Sequence, residues 1–508
     1  MKKTRRRLSL PVTALATLLV AAGASAAPPQ VAGGAPQVGG LPDVVGGHAS
    51  DHVILRLAPG VVPVEVGGRW GLRANGRVER DSLAALREVR ATRVRAALRR
   101  PPADAARAAR VGLDRFVIVE LPAGSDAPAV AARLARVRGV EKAETAAIGG
   151  VSGELPNDPR FPEQWNLRNT GQVAGGVFGT PGADVDALGA WAFGTGSDSI
   201  VVGVLDSGIN QHQDLFGRIL PGWNVPQNSS NTADVCSSHG TGVSSLLGGR
   251  GDDGVGMAGM HWAVRFLPVV VVNPCSGSEA FVAEGIVFAV DAGADILNMS
   301  LAYSVGSDLF RSAILYAADA GVIMVAASGN NGASQLPFPA RWPEVIAVGA
   351  SNNQDLRWSN SAYGTNMSIV APGQRVLRAS NTATYSVSDG TSFAVPHVSG
   401  TIALMLSRNP YLTPVEVRAI LEQTATDLSP PGYDLPTGFG RLDAAEALAA
   451  TPIPGDLDGD GIVIGPDLAI LLGAWGPCPT TGGCAADIDR DGEVGGADLS
   501  IMLGAWGG

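Results

Sequence analysis

Between residues 200 and 349 short apolar runs alternate with longer helical ones, and this alternation restricts the fold more than any other feature of the chain. Ile200–Ile209, Phe266–Val272, Asp295–Ser300, Val322–Ala327 and Val345–Gly349 read as strands, with helices at Ala280–Asp291 and Leu309–Ala320. Strands apolar on both faces must be covered on both faces, so the pattern predicts an α/β domain with a parallel sheet between helical layers. Ligands of such sheets gather at the carboxyl ends of the strands. The first run carries Asp206 at that edge, and the fourth leads through Ala327, Ser328 and Gly329 to the amide of Asn330.

Two helix starts carry further chemistry. Ser238-His239-Gly240-Thr241-Gly242-Val243 opens one helix with an imidazole. Gly390-Thr391-Ser392-Phe393-Ala394-Val395-Pro396-His397 sets a serine at the mouth of the apolar helix containing Ile402, Leu404 and Leu406. Unpaired N–H groups there favour developing negative charge; alone, the run would also suit an ordinary helix cap. Asp206, His239 and Ser392 follow one of the known chain orders of the acid–base–nucleophile triad, and Asn330 is a neutral donor suited to an oxyanion hole. With all four blocks in this order the chain resembles the subtilisin-type serine proteases, the subtilase family.

The resemblance implies a subtilisin-like peptidase domain at 157–450, opened by Asn157-Asp158-Pro159-Arg160-Phe161 and closed by Gly438–Ala444. It implies that Ser392 attacks the scissile carbonyl, that His239 shuttles the proton and that Asp206 orients the imidazole. Ser300-Leu301-Ala302 and Ser276-Gly277-Ser278 become edges that pair with the substrate backbone, and Ala327-Ser328-Gly329 walls the primary pocket. Ala302 stands where glycine is usual, and Gly242 and Phe393 replace the commoner histidine and methionine. Asp214 and Asp253 fall where relatives often bind structural calcium, although acidic turns are also commonly just solvated. Some relatives bridge the regions of Cys236 and Cys275 by a disulfide; free thiols are the alternative. His212 is expected on a surface segment and His397 in packing, while His48, His52 and His261 lack metal-like spacing.

Ahead of this domain, Met1–Ala26 has a basic start, a short apolar stretch and Ala24-Ser25-Ala26, the marks of a secretory signal peptide, with a twin-arginine signal as the alternative. A linker at 27–50 leads to a small α+β unit at 51–150. Its expected strands are His52–Leu57, Arg115–Leu121 and Val140–Ala146, with helices at Asp81–Arg100 and Ala127–Val137; residues 67–78 are an insertion. The unit resembles the family's inhibitor-type propeptide, which implies a self-processed precursor cut between about Ala146 and Asn157 and inhibition by the released piece. Arg87, Arg90, Arg93, Arg95, Arg99, Arg100, Arg107 and Arg110 crowd this unit while the whole chain carries a net charge of −10. Without interleaved aromatics the run reads as a solvated helix face and not as a nucleic-acid surface. No later stretch is apolar enough to span a bilayer, so a secreted or cell-surface protein is expected.

At 455–508 the composition turns acidic and repetitive. Asp456, Asp458, Asp460 and Asp467, with Gly461 between, recur 31 residues on as Asp487, Asp489, Asp491 and Asp498 with Gly492. Carboxylates at positions 1, 3, 5 and 12 with glycine at 6 form an EF-hand-like calcium loop. Two such loops, each followed by a helix ending in Trp475 or Trp506, resemble an all-α dockerin. That resemblance implies two Ca2+ ions and a cohesin-like or cell-surface partner, but Gly465-Pro466 and Gly496-Ala497 lack the usual hydroxyls at the docking positions. Cys478 and Cys484 lie close enough in sequence to pair in an oxidising compartment. Two functions follow: a secreted serine endopeptidase, or a catalytically silent scaffold assembled through its calcium module. Retention of all four reacting groups favours the enzyme.

Overall fold

The computed structural model describes residues 48–97, 108–110, 112–122, 125, 127–147, 155–381, 383–428, 430–479 and 484–506. The signal peptide, most of the linker, Arg99, Arg100, Arg107 and most of the expected maturation junction lie outside them. The chain divides into two units, up to Gly149 and from Gly150 onward.

In the first unit β1 (His48–Leu57) lies between β3 (Phe116–Glu120) and β4 (Val140–Ala147), with β2 (Arg93–Ala96) beyond β3, all antiparallel. Alternate residues Val53, Leu55 and Leu57, with Val117 and Val119, point into a core shared with α1 (Arg80–Glu88) and α2 (Ala127–Leu134). The long helix expected to Arg100 is wrong. It stops at Glu88, Arg90 takes a left-handed φ of +56°, and the chain returns as the edge strand β2. Val94 is buried there while Arg95 reaches Glu120 at 2.6 Å, so period two replaces period 3.6 and the arginine run is not one helix face. The insertion forms its own antiparallel sheet from Val62–Val66, Arg69–Ala74 and Arg77–Val78.

The second unit carries the expected parallel sheet. Its strands are β5 (Val201–Asp206), β6 (Trp223–Asn224), β7 (Arg265–Val270), β8 (Ile296–Met299), β9 (Ile323–Ala327), β10 (Val345–Ser351) and β11 (Met367–Pro372), in the order β6-β7-β5-β8-β9-β10-β11. Val202, Val204, Val325 and Val348 face α3 (His239–Gly248) and α6 (Thr391–Arg408). Leu205, Val269, Leu297 and Met324 face α4 (Glu279–Asp291) and α5 (Asp308–Asp319). Both faces are thus sealed, as the apolar runs require. The strand β11, the short edge β6 and the hairpin Val376–Ala379/Tyr385–Ser388 were not foreseen.

After α7 (Pro414–Thr424) the chain reaches the two acidic loops, each followed by a helix, α8 (Gly465–Gly473) and α9 (Gly496–Gly504). The part is not all-α, since Gly476–Pro477 pairs with Glu493–Val494. Val463, Leu471, Ile488, Val494 and Met502 form its core, onto which Tyr411 and Ile453 pack. Arg490, in the second loop, ion-pairs with Glu416 of α7 at 2.7 Å.

Candidate active site

Asp206 ends β5 almost fully buried, and its Oδ1 accepts the N–H of Ser207 at 2.7 Å and the hydroxyl of Ser207 at 3.1 Å. The same oxygen accepts Nδ1–H of His239 at 2.8 Å, which fixes the imidazole tautomer and orientation. His239 is the first residue of α3, turned into place by Ser238, whose φ is +59°. Burial opposes its charge, but the charge and hydrogen bond of Asp206, helped by Asp234, outweigh that and the nearby Arg378, so its pKa lies above the ordinary histidine value.

Ser392 sits in the first turn of α6, its Oγ donating to the carbonyl of Ser300 at 3.2 Å. Pro396 has no N–H to give the carbonyl four residues earlier, which is that of Ser392. The hydroxyl of Ser300 takes that place at 2.9 Å, and Asn298 Nδ2 donates to Ser300 Oγ at 3.1 Å. Strand and helix are therefore clamped at the serine. Among the described residues no hydrogen bond joins Ser392 Oγ to His239, a contact that commonly tightens only with substrate bound.

Asn330 follows β9, and its Oδ1 accepts both the N–H and the hydroxyl of Thr391, at 2.9 and 2.8 Å. A backbone donor on that atom requires it to be the oxygen, so the amide N–H groups point away, free to donate.

Beside Asp206 and His239 opens a cleft of about 270 Å³, lined by Ser300, Leu301, Ala302, Tyr303, Ser276 and Gly277 among others. Five of the expected substrate-binding residues therefore come together. Ser278 caps α4 instead, accepting the N–H of Ala280 at 3.2 Å. Ala327, Ser328 and Gly329 do not line this cleft; Ala327 and Ser328 are buried, with Ser328 Oγ 3.3 Å from Ser361 Oγ. Cys236 and Cys275, both in the cleft wall, form a disulfide, as do Cys478 and Cys484.

Sequence reasoning missed Asp234. Its Oδ1 accepts from Cys236 N–H and shares the single Ser207 hydroxyl hydrogen with Asp206, the shorter contact being its own at 2.9 Å. Its Oδ2 accepts the N–H and hydroxyl of Thr241, which ties β5 to the start of α3. Its only signal was an acid shortly before a helix start.

His212 is buried, not on the surface, with Nε2 facing the Thr384 carbonyl at 3.3 Å. Next to it, Asp214 is buried beside the hydroxyl of Tyr385, and burial pushes its pKa up to about 7. Asp253 is exposed, yet it and Asp158 also raise Asp214. Asp158 Oδ1 is buried without a partner, a group that the sequence had not singled out.

In the acidic repeats, donor atoms of Asp456, Asp458 and Asp460 converge within 4.8 Å, as do those of Asp487, Asp489 and Asp498. Gly461 and Gly492 adopt φ of +86° and +97°, the left-handed turn position six requires. Asp467 and Asp498 are buried and repeat one pattern. Oδ1 of Asp467 accepts from Leu457 and Asp458 and its Oδ2 from Ile464, while Oδ1 of Asp498 accepts from Ile488 and Asp489 and its Oδ2 from Gly495. An all-oxygen anionic donor set of this kind fits a hard divalent cation.

Residues 197–440 match the family model described as the subtilase family. The chain is 33% identical to thermitase of Thermoactinomyces vulgaris over 266 residues, covering 52% of this chain and 93% of thermitase. The chain belongs to the subtilase family. Within that family it is 36% identical to subtilisin Savinase of Lederbergia lenta over 48% of this chain and 90% of the relative. It is also 34% identical to a thermophilic serine proteinase of Bacillus sp. strain AK1, over 51% of this chain and only 64% of that relative's length. Among solved structures a protease from Pseudoalteromonas arctica aligns with TM-score 0.52 at 29% identity, over 59% of this chain and all of that one. Like the subtilase match, these alignments span about half of the chain. Among the described residues no helix is long and apolar enough to cross a membrane.

Proposed function

We propose that this subtilase is a serine endopeptidase acting through an acyl-enzyme, with Ser392 as nucleophile, His239 as general base and acid, and Asp206 as the residue that orients the imidazole. The observation that carries this is the 2.8 Å bond from His239 Nδ1 to Asp206 at the strand edge, beside a cleft of about 270 Å³. Ser392 Oγ attacks the scissile carbonyl while His239 accepts its proton and later returns it to the leaving amine. Asn330 Nδ2 and the N–H of Ser392 donate to the oxyanion. Substrate lies as an added strand along Ser300–Ala302 and Ser276–Gly277, the expected edges that do line the cleft.

The protein is made as an exported precursor, with 1–26 as signal peptide and 51–150 as an inhibitory propeptide cut off between about Ala146 and Asn157. The acidic repeats at 455–508 hold two structural Ca2+ ions and engage a cohesin-like or cell-surface partner. Asp214 and Asp253 hold another, with Asp158, whose orphaned oxygen supports its inclusion. The ions supply charge neutralisation and take no part in the chemistry. Ser392→Ala should abolish peptide hydrolysis and self-processing while leaving the folded protein intact. Loss of the nucleophile in subtilisin lowers turnover about 10⁶-fold. Near-normal hydrolysis by that variant would overturn the assignment of Ser392 as nucleophile, whereas a wild-type protein that cleaves no peptide would leave a binding scaffold as the remaining function.

A further inference from the structure

We infer that Arg378 is a positioning residue for the His239 imidazole, a guanidinium built into the back of the site in space that Gly242 leaves open. The inference rests on the proposed roles of His239 and Ser392.

Arg378 comes from the hairpin strand Val376–Ala379, which is held on α3 by the Ala379 N–H donating to Ser245 Oγ at 2.9 Å. Its side chain crosses α3 where Gly242 lies, one turn after His239. A Cβ on Gly242 would fall 2.4 Å from Arg378 Cδ, 2.8 Å from its Nη1 and 3.1 Å from the Ala379 carbonyl, so a larger residue there would displace the guanidinium from its present seat. Nη1 donates to the carbonyls of Ser238 at 2.9 Å and Ala379 at 3.0 Å, and Nε donates to Ser388 Oγ at 2.8 Å. Ser238 is the strained residue that presents His239, so the guanidinium pins the hinge of the imidazole directly. Its plane also lies 5.3 Å from the Phe393 ring, which in turn lies 5.5 Å from the His239 ring. Gly242, Phe393 and Arg378 therefore form one interlocked set behind the histidine.

Among the described residues no carboxylate makes a salt bridge with Arg378. It is a cation without a direct counter-ion, close enough to oppose protonation of His239. The other charged groups acting on the imidazole are Asp206 and Asp234, which favour its charge; the Tyr303 phenol elsewhere in the same cleft wall is held neutral, burial pushing its pKa up to about 12. Arg378 thus offsets two carboxylates and keeps more of the imidazole in the neutral form that accepts the Ser392 proton.

The test uses the mature enzyme and a chromogenic peptide. Arg378→Gln keeps a donor for Ser238 but loses the charge, so the acid limb of kcat/KM should move to higher pH. At a pH on that limb activity should fall about threefold or more relative to its own plateau, one pH unit being tenfold. Arg378→Lys retains the charge and should leave the limb in place. An unmoved limb in Arg378→Gln with normal plateau activity would overturn the proposal. NMR titration of the His239 ring reads the same shift without turnover, even where activity is low. Geometry is tested separately: Gly242→Ala should lower the melting temperature in the wild type but much less in Arg378→Ala. Equal effects in both backgrounds would also overturn the proposal. If instead Ser392→Ala retains activity, it is the catalytic assignment that fails, and the NMR and melting results still decide the placement of Arg378.

Discussion

Removing the Cys236–Cys275 bridge tests how the cleft is held open. The two cysteines are 39 residues apart, and they frame the segment that contains His239 and β7, with the Ser276–Gly277 edge directly after it. Closing such a loop in the unfolded chain stabilises the native state by about 4 kcal/mol in the chain-entropy model. For a unit of roughly 360 residues, with an unfolding entropy of about 2.1 cal/mol/K per residue, that corresponds to a fall in Tm of about 5 °C. The double variant Cys236→Ala/Cys275→Ala should show this fall in scanning calorimetry at a fixed scan rate. The N–H of Cys236 also donates to Asp234 at 3.0 Å, a contact that alanine preserves, so kcat at 25 °C should stay within a few-fold of wild type. A Tm within 1 °C of wild type, or two titratable thiols in the native oxidised protein, would refute the reasoning.

Asn330→Ala should lower kcat about 10² to 10³-fold with little change in KM, the loss that removing such a donor brings in subtilisin; an unchanged kcat would remove it from the oxyanion hole. His261 and His397 are buried neutral, with burial pushing their pKa values down to about 3 and about 4. The unfolded chain takes up these two protons near pH 6.5, so their stability contribution is complete above that pH. It is lost as pH falls towards 4 and 3, at up to about 2.7 kcal/mol per pH unit. Urea midpoints at pH 7 and pH 5 should show this, and His397→Gln should roughly halve the slope. Calcium should slow hydrogen exchange of Gly465–Gly473 and Gly496–Gly504 in the full protein, with Asp467→Ala and Asp498→Ala abolishing the effect at their own loops; exchange indifferent to calcium would reject those ligands. N-terminal sequencing of active protein should begin between about Ala146 and Asn157, and a start at Ala27 would contradict removal of the propeptide.

The parallel sheet was legible because its strands are buried on both faces and so announce themselves as continuous apolar runs. Asp206, His239, Ser392 and Asn330 were legible because each sits where a strand or helix changes into loop, with glycine and serine nearby. The Asp81–Arg100 helix was misread because alanine, leucine and arginine favour helices wherever packing does not decide. Here burial of Val94 against β3 did decide. Gly242 was visible as a departure from its family, but its reason lies in a side chain 136 positions away and appears only when the hairpin folds over α3. Likewise Asp158 looks like any opening-segment acid until its oxygen is buried without a partner.

The ion pair from Arg490 to Glu416 has a consequence for anything the C-terminal helices hold. Glu416 also closes the start of α7, accepting the N–H and hydroxyl of Thr413 at 2.8 and 2.7 Å. With Tyr411 and Ile453 packed into the same small core, the acidic repeats are seated on the peptidase domain and do not swing from a flexible tether. The partner proposed for these repeats would be presented to the cleft in one orientation. Its effective concentration for cleavage is then set by geometry and not by linker length: very high for a chain whose reach matches the span, and close to zero for one that cannot bend back.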